Sequence, residues 1–182
     1  MYFKKMIGKK CYLSPIDVND AEKFTEWLND LEVIENMLLY PHIISLSNEK
    51  KYLEELTKGH DYSMIDIKTN ELIGSCGFGS IDHINQTTEV GILIGNKKYW
   101  DNGFGTEALS LLMDYGFNGL NFHSICLRVY STNERAIKCY EKIGFKIIGR
   151  RREAIFRKRK KIDYLYMDIL VNEFYDKYKN EK

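Results

Sequence analysis

Trp100-Asp101-Asn102-Gly103-Phe104-Gly105-Thr106-Glu107-Ala108 is the stretch on which the fold turns. Before it, residues 89–94 alternate as a strand. After it, residues 104–118 carry the longest helical pattern in the chain, with Ala108, Leu111, Leu112 and Tyr115 expected to face inward. A helix that starts at such a loop presents unpaired backbone N–H groups and a partial positive charge, which suits an anion. Glycines there let the backbone approach a phosphate or pyrophosphate closely. No Gly-Lys-Ser/Thr is present, so this is not a P-loop, and the single Gly-x-Gly lacks the third glycine of the dinucleotide fingerprint. A tight strand-to-helix turn without any ligand would use the same glycines, so the loop alone leaves both readings open.

Working outward, residues 9–14 read as a strand stopped by Pro15, and Asp17 caps a helix with Ala21, Phe24, Trp27, Leu28 and Leu31 at helical spacing. Residues 38–47 form a loop, and a second amphipathic helix runs through Tyr52, Leu53 and Leu56 to Gly59. Residues 62–67 and 72–80 flank the turn Lys68-Thr69-Asn70-Glu71 as a hairpin. Beyond the long helix come a strand over 124–130, a helix over 134–143, and two strands over 145–156 and 163–170. Helices that follow strands at 95 and 130 are natural crossovers, so the pattern predicts an α/β or α+β domain with a mixed sheet.

At 182 residues and 44% hydrophobic, with 27 basic against 26 acidic residues, the chain fits one globular domain spanning 1–182. The net charge of +1 argues against a chain built as a whole for nucleic acid or an anionic membrane. No apolar run reaches the length of a membrane span, and the start has no signal-peptide stretch, so a cytoplasmic protein is expected. Cys11, Cys76, Cys126 and Cys139 have no metal-ligand spacing; no metal is expected, and buried thiols are the default.

The second motif is Ser131-Thr132-Asn133-Glu134-Arg135-Ala136-Ile137-Lys138-Cys139-Tyr140-Glu141-Lys142-Ile143-Gly144-Phe145. An Asn at a helix start and a Gly at its end are ordinary caps. The two motifs in this order resemble the GNAT superfamily of acyl-CoA-dependent N-acyltransferases. Its patterns are Gln/Arg-x-x-Gly-x-Gly/Ala and Asn-x-x-Ala-x-x-x-Tyr-x-x-x-Gly-Phe. The chain keeps Gly103, Gly105, Asn133, Ala136, Tyr140, Gly144 and Phe145, and departs at Trp100. Tyr-Trp before the glycines and Thr-Glu-Ala after them resemble the branch of ribosomal-protein N-terminal acetyltransferases. Residues 84–170 are also similar to spermidine N-acetyltransferases.

The resemblance implies a mixed, mostly antiparallel sheet with a splayed central strand pair and flanking helices. It also implies acetyl-CoA as acyl donor, with a small-molecule or peptide amine (polyamine, protein N-terminus or amino sugar) as acceptor. Backbone groups of Asp101, Asn102, Gly103, Phe104, Gly105 and Thr106 would hold the pyrophosphate. Thr106 would add its hydroxyl, while Phe104 and Ala108 pack inward. Ile92 and Ile94 would bond the pantetheine arm through their backbone, one N–H serving the oxyanion. Asn133, beside Ala136, would bond the pantetheine amide.

An alkyl ammonium with a pKa near ~10 is free base about one time in a thousand at pH 7, so a carboxylate base helps. Glu89 is the acid the resemblance places there, with an exposed strand Glu, or water as the base, as the alternatives. The departing thiolate, pKa near ~8.5, gains perhaps ~10² from an acid. Tyr140 matches the superfamily's tyrosine in that role, where many members of this branch carry an aliphatic residue. No residue set suggests an acyl-enzyme, since Cys139 points about 100° away from Tyr140 on a helix; direct transfer in a ternary complex is expected.

The early insert holds Glu22, Glu26, Asp30, Glu32, Glu35, Glu49, Glu54 and Glu55, which suit a cationic acceptor or simply a solvated face. His42 and His83 read as surface histidines. Residues 150–161 hold eight Lys/Arg in twelve, read first as a solvated hairpin turn that sends Ala154 and Phe156 to its other face, with a grip on RNA, a ribosome or a nucleotide's phosphates as the alternative. A homodimer through the C-terminal strands follows from family resemblance. The runner-up function is a non-catalytic acyl-CoA-binding or ribosome-associated module.

Overall fold

A computed structural model describes residues 1–179, in two compact units. The elements in order are β1 (Met6–Ile7), β2 (Cys11–Pro15), α1 (Ala21–Leu28), α2 (Leu46–Leu56), β3 (His60–Asp66), β4 (Leu72–Asp82), β5 (Thr87–Ile94), α3 (Phe104–Asn118), β6 (Ser124–Tyr130), α4 (Glu134–Ile143), β7 (Lys146–Arg157), β8 (Lys160–Leu170) and α5 (Val171–Lys179). The strand order is β1-β2-β3-β4-β5-β6-β8-β7. Pairing is antiparallel for β1/β2, β2/β3, β3/β4, β6/β8 and β7/β8, and parallel for β5/β6. The sheet is mixed and mostly antiparallel, as expected.

The first unit comprises Met1–Phe78 and Gly91–Leu112. Asp66 shapes its β3–β4 turn by accepting from the N–H groups of Lys68 (2.7 Å) and Thr69 (3.2 Å), while Asn70 takes φ 58°. Local side-chain acceptance of this kind replaces the sheet ladder at a turn. Tyr12, Ile16, Ala21, Phe24, Leu53, Ile65 and Leu72 make one core cluster under α1 and α2. Burying each such aliphatic or aromatic side chain is worth roughly 1.5–3 kcal/mol.

Two expectations change in this unit. Asp17 caps a single 3-10 turn, Val18–Asp20, ahead of α1. And α1 ends at Leu28: Asn29 is its C-cap, and the Asn29 side-chain amide is held by both backbone groups of Ile44. Leu31 therefore lies past the helix, 58% exposed. Tyr52, on the outer side of α2, is 55% exposed.

The second unit comprises Gly79–Val90 and the chain from Met113 onward. β5 pairs with β6 only over Thr87–Glu89 against Ser124–Cys126, and just beyond Glu89 it passes into the first unit. β6 and β7 each run antiparallel to β8, which lies between them, so α4 crosses over an intervening strand. α3 buries Ala108, Leu109, Leu112, Met113 and Phe117. Leu111 and Tyr115, expected inside, are only half-buried.

The basic run is the β7–β8 hairpin, turning at Lys158 and Arg159, both at positive φ. Arg150 pairs with Asp163 (2.5 Å) and Lys161 with Glu153 (2.7 Å). Irregular register between Arg151 and Ile155 shifts the alternation, so Phe156 is 72% exposed instead of inward, while Ile155 pairs with Ile162. All four cysteines are free; Cys11 and Cys76 are buried, Cys139 is half-buried, and Cys126 is exposed, against expectation.

Candidate active site

In the first unit the end of β5 leads through a short turn into α3, and side chains fix that turn from several directions. Asn96 accepts from the Lys98 N–H and donates to Glu71 (2.9 Å), whose carboxylate also takes Lys98 and the Tyr99 hydroxyl (3.1 Å). The Tyr99 ring meets Phe104 edge-on at 4.9 Å; Ala108 is fully buried as expected, whereas Phe104 is half-buried. Trp100 donates its indole N–H to the Ile94 carbonyl at 2.8 Å. Asn102 donates to the carbonyls of Trp100 (2.9 Å) and Lys98 (3.2 Å).

Asp101 and Gly103 stand at φ 58° and 78°, and the Glu107 N–H is bonded back to Gly103 O at 3.1 Å. Residues 101–106 therefore form a left-turning loop that delivers the first turn of a fifteen-residue helix. Backbone N–H groups at such a loop and helix start are of the kind that can receive an anion.

Sequence reasoning missed what braces this loop. Glu107 accepts the backbone N–H groups of Lys9 (2.9 Å), Lys10 (2.7 Å) and Cys11 (2.9 Å). Burial alone would push its carboxyl up, but the three donors outweigh that and hold it below the ordinary carboxylate value. A methyl on Gly8 would run into the Glu107 carboxylate at 2.7 Å, so the turn needs glycine there. The clamp places Lys10, whose ammonium donates to Asn102 O at 2.6 Å and stands 3.2 Å from where a Gly103 Cβ would be. A cation beside a glycine loop and a helix start suits a pyrophosphate. No local pattern couples residue 107 to residues 9–11.

The second unit holds the remaining candidates. Glu89, on β5, receives Arg128 from β6 in a two-point pair: Nε to Oε1 at 2.7 Å and Nη2 to Oε2 at 3.3 Å. Arg128 was not foreseen; a register of Glu89 opposite Cys126 leaves it two residues along on the same strand. Asn133 caps α4 by accepting from the Ala136 N–H at 3.2 Å. Tyr140 packs edge-on against Phe145, centroids 5.9 Å apart, and burial raises its phenol well above the ordinary value. Gly144 closes the helix at φ 121°.

Ile92, Ile94 and residues 101–106 thus belong to the first unit, and Glu89, Asn133, Ala136 and Tyr140 to the second. His42 and His83 are exposed. Among the described residues no cluster of His, Cys, Asp and Glu could hold a metal, and no helix is long and apolar enough to cross a membrane.

The fold and the loop define an acetyltransferase-type architecture, and comparison with known proteins gives the family. Residues 10–146 match the acetyltransferase (GNAT) domain, and the chain belongs to that family of acetyltransferases. It is similar, 29% identical over 89% of its length and 93% of the relative's, to a protein described as an uncharacterized N-acetyltransferase, p20, of Bacillus licheniformis. A GNAT-family acetyltransferase from Bacillus anthracis shares its fold, with a TM-score of 0.82 at 22% identity, covering 95% of this chain and all of that one. So does a spermidine N-acetyltransferase from Vibrio cholerae solved with CoA and spermine, with a TM-score of 0.82 at 23% identity over 92% and 99% of the two chains.

Proposed function

We propose that the protein transfers the acetyl group of acetyl-CoA directly to a primary amine in a ternary complex. The reading rests first on the 101–106 loop, turned by Asp101 and Gly103 into the start of α3 with Lys10 at its side. That donor set fits the pyrophosphate of the acetyl donor, through N–H groups, helix dipole and one ammonium. The Vibrio cholerae enzyme of the same fold binds CoA, which supports this assignment.

The remaining roles are assigned by chemistry. Backbone groups of Ile92 and Ile94 receive the pantetheine arm and polarise the thioester carbonyl; Asn133, at the head of α4 beside Ala136, meets the pantetheine amide. Tyr140 donates a proton to the departing thiolate. Its phenol, kept protonated by burial, has the right form at neutral pH for an acid. Glu89 serves the amine's proton, by way of water. Both its oxygens engage Arg128, so it takes a proton only by loosening that pair.

The acceptor class is polyamine, protein N-terminus or amino sugar. We further propose a single cytoplasmic domain over 1–182 with no nucleic-acid partner. Edge strand β7, with Ile147, Ile148 and Phe156 exposed, supports a homodimer through the C-terminal strands. The deciding experiment is thiol release from acetyl-CoA across spermidine, amino sugar nucleotides, amino acids and ribosomal N-terminal peptides. Acceptor-dependent release with one class upholds the reading and names the class. Release with none, while acetyl-CoA still binds, rejects it.

A further inference from the structure

The acidic residues of the first unit fall into two groups. Most are matched: Asp30 and Glu32 share Lys97 (2.7 and 2.5 Å), Glu71 holds Lys98, Asp66 accepts two turn N–H groups, and Glu107 accepts three. Glu22, Glu26, Glu54 and Asp101 are exposed to solvent, and Asp20 accepts from the Tyr2 hydroxyl through one oxygen (2.8 Å). Glu49 and Asp61 are neither matched nor exposed. Glu49, in the first turn of α2, is only 3% exposed, and Asp61 stands near the start of β3. Neither carboxylate has a hydrogen bond or ion pair among the described residues. Burying an ionised group without a partner is costly, so natural chains keep one where something else supplies the partner.

We propose that Asp61 and Glu49 form a cation subsite that takes the second ammonium group of a diamine or longer polyamine acceptor. The position of Asp61 is built. Its pairing partner across β3/β4 is Gly77, and a methyl there would collide with the carboxylate; Gly59, just past α2, lies against the other oxygen, where a Cβ would come within 3.3 Å. Two glycines thus leave room for the carboxylate between a sheet and a helix end.

A second observation points to a missing polar ligand on the same strand face. Ser63, two residues along β3 from Asp61, is wholly buried, and its hydroxyl has no hydrogen-bond partner. Tyr52, one helical turn on from Glu49, lies in the field of both carboxylates and is 55% exposed, so its ring is an aromatic face near both. Burial raises the carboxyl of Asp61, to about 6, and that of Glu49, as expected of carboxylates that lack a cation. The chemistry recognised is therefore an alkylammonium, compact and strongly donating, on a chain whose other end is the amine to be acetylated.

This inference rests on the proposed amine acetylation, and two arms keep the two ideas apart. In the first, 1,4-diaminobutane is titrated calorimetrically into the protein without acetyl-CoA. Wild type should bind it at least tenfold more tightly than Asp61→Asn and Glu49→Gln, both near-isosteric and both checked for folding by their melting transitions. Equal binding by all three overturns the subsite. In the second arm, acetylation of 1,4-diaminobutane is compared with that of 1-aminobutane. Wild type should favour the diamine at least tenfold in kcat/KM, chiefly through KM, and Asp61→Asn should bring that ratio close to one. A ratio near one in wild type, or one that Asp61→Asn leaves intact, also overturns it. Absence of acetylation with every amine would reject the transfer reading, while diamine binding lost in Asp61→Asn would still uphold the subsite.

Discussion

The indole N–H of Trp100 is bonded to the carbonyl oxygen of Ile94 at 2.8 Å, tying the loop ahead of α3 to the last residue of β5. Trp100 is also where the chain departs from the Gln or Arg of the family's loop pattern, and the bond gives that departure a use. A flat donor at this point fixes the distance between the strand assigned to the pantetheine arm and the loop assigned to the pyrophosphate. Trp100→Phe keeps the ring and drops the donor. The loss of one such bond is worth about 1 kcal/mol, or roughly fivefold in affinity. Calorimetric titration with acetyl-CoA should show that weakening; an unchanged Kd would deny the clasp any part in donor binding.

Glu107 is the brace on the other side of the loop. Hydrogen bonds to a charged acceptor are worth roughly 1.5–3 kcal/mol, and Glu107→Ala would leave three N–H groups of the β1–β2 turn without their acceptor. A loss of at least about 3 kcal/mol in unfolding free energy is expected. Glu107→Gln isolates the charge. Because the carboxyl is held below its ordinary value of 4.5, its contribution is fully present above that pH and fades as pH falls through the folded-state value. Melting temperatures of wild type and Glu107→Gln should therefore differ at pH 7 and draw together in acid. A gap that persists unchanged at low pH would mean that shape, not charge, does the holding.

What could be read from the chain beforehand was local. α3 and α4 announced themselves by long apolar periodicity and by their caps at Gly103, Asn133 and Gly144, and β6 by clean alternation; the structure has all three at the expected bounds. The turn over residues 68–71 was legible for the same reason, since it is held locally, by the Lys68 and Thr69 N–H groups on Asp66. The failures involve partners distant in sequence. Leu31 kept the helical spacing, but Asn29 had been taken by Ile44. Phe156 kept the strand alternation, but a register shift moved it out. α5 was missed because its nine residues are mostly polar; its apolar anchor is Phe174, against Phe117. In the site, the two motifs were visible as motifs, whereas Glu107, Lys10 and Arg128 are defined by contacts across 39 to 98 residues of chain.

Tyr140 tests the proposed acid. Tyr140→Phe removes only the hydroxyl and keeps the ring against Phe145, so donor affinity should hardly move while turnover falls tenfold or more. Steady-state rates and acetyl-CoA titrations on the same preparation separate the two. The raised phenol pKa means that the hydroxyl stays protonated across pH 6 to 9, and so no limb of the rate profile in that window belongs to it. Turnover equal to that of wild type at every pH would remove Tyr140 from the reaction.

Asp61 makes the opposite kind of prediction, a gain in stability from losing a charge. Its carboxyl is raised from 3.8 to about 6 by burial, so the folded state holds its proton over a range where the unfolded chain has released it. Stability then falls as pH rises from about 4 to 6, and above that the full cost is carried, up to about 3 kcal/mol. Asp61→Asn carries no such cost. At pH 7.5 it should melt above wild type, and the difference should vanish as pH falls below the ordinary value of 3.8, where the carboxyl is protonated in both folded and unfolded states. Adding 1,4-diaminobutane at pH 7.5 should raise the melting temperature of wild type and leave that of Asp61→Asn where it was. If wild type is the more stable at pH 7.5, the carboxylate already has its partner within the fold, and there is no unmet charge for an acceptor to satisfy.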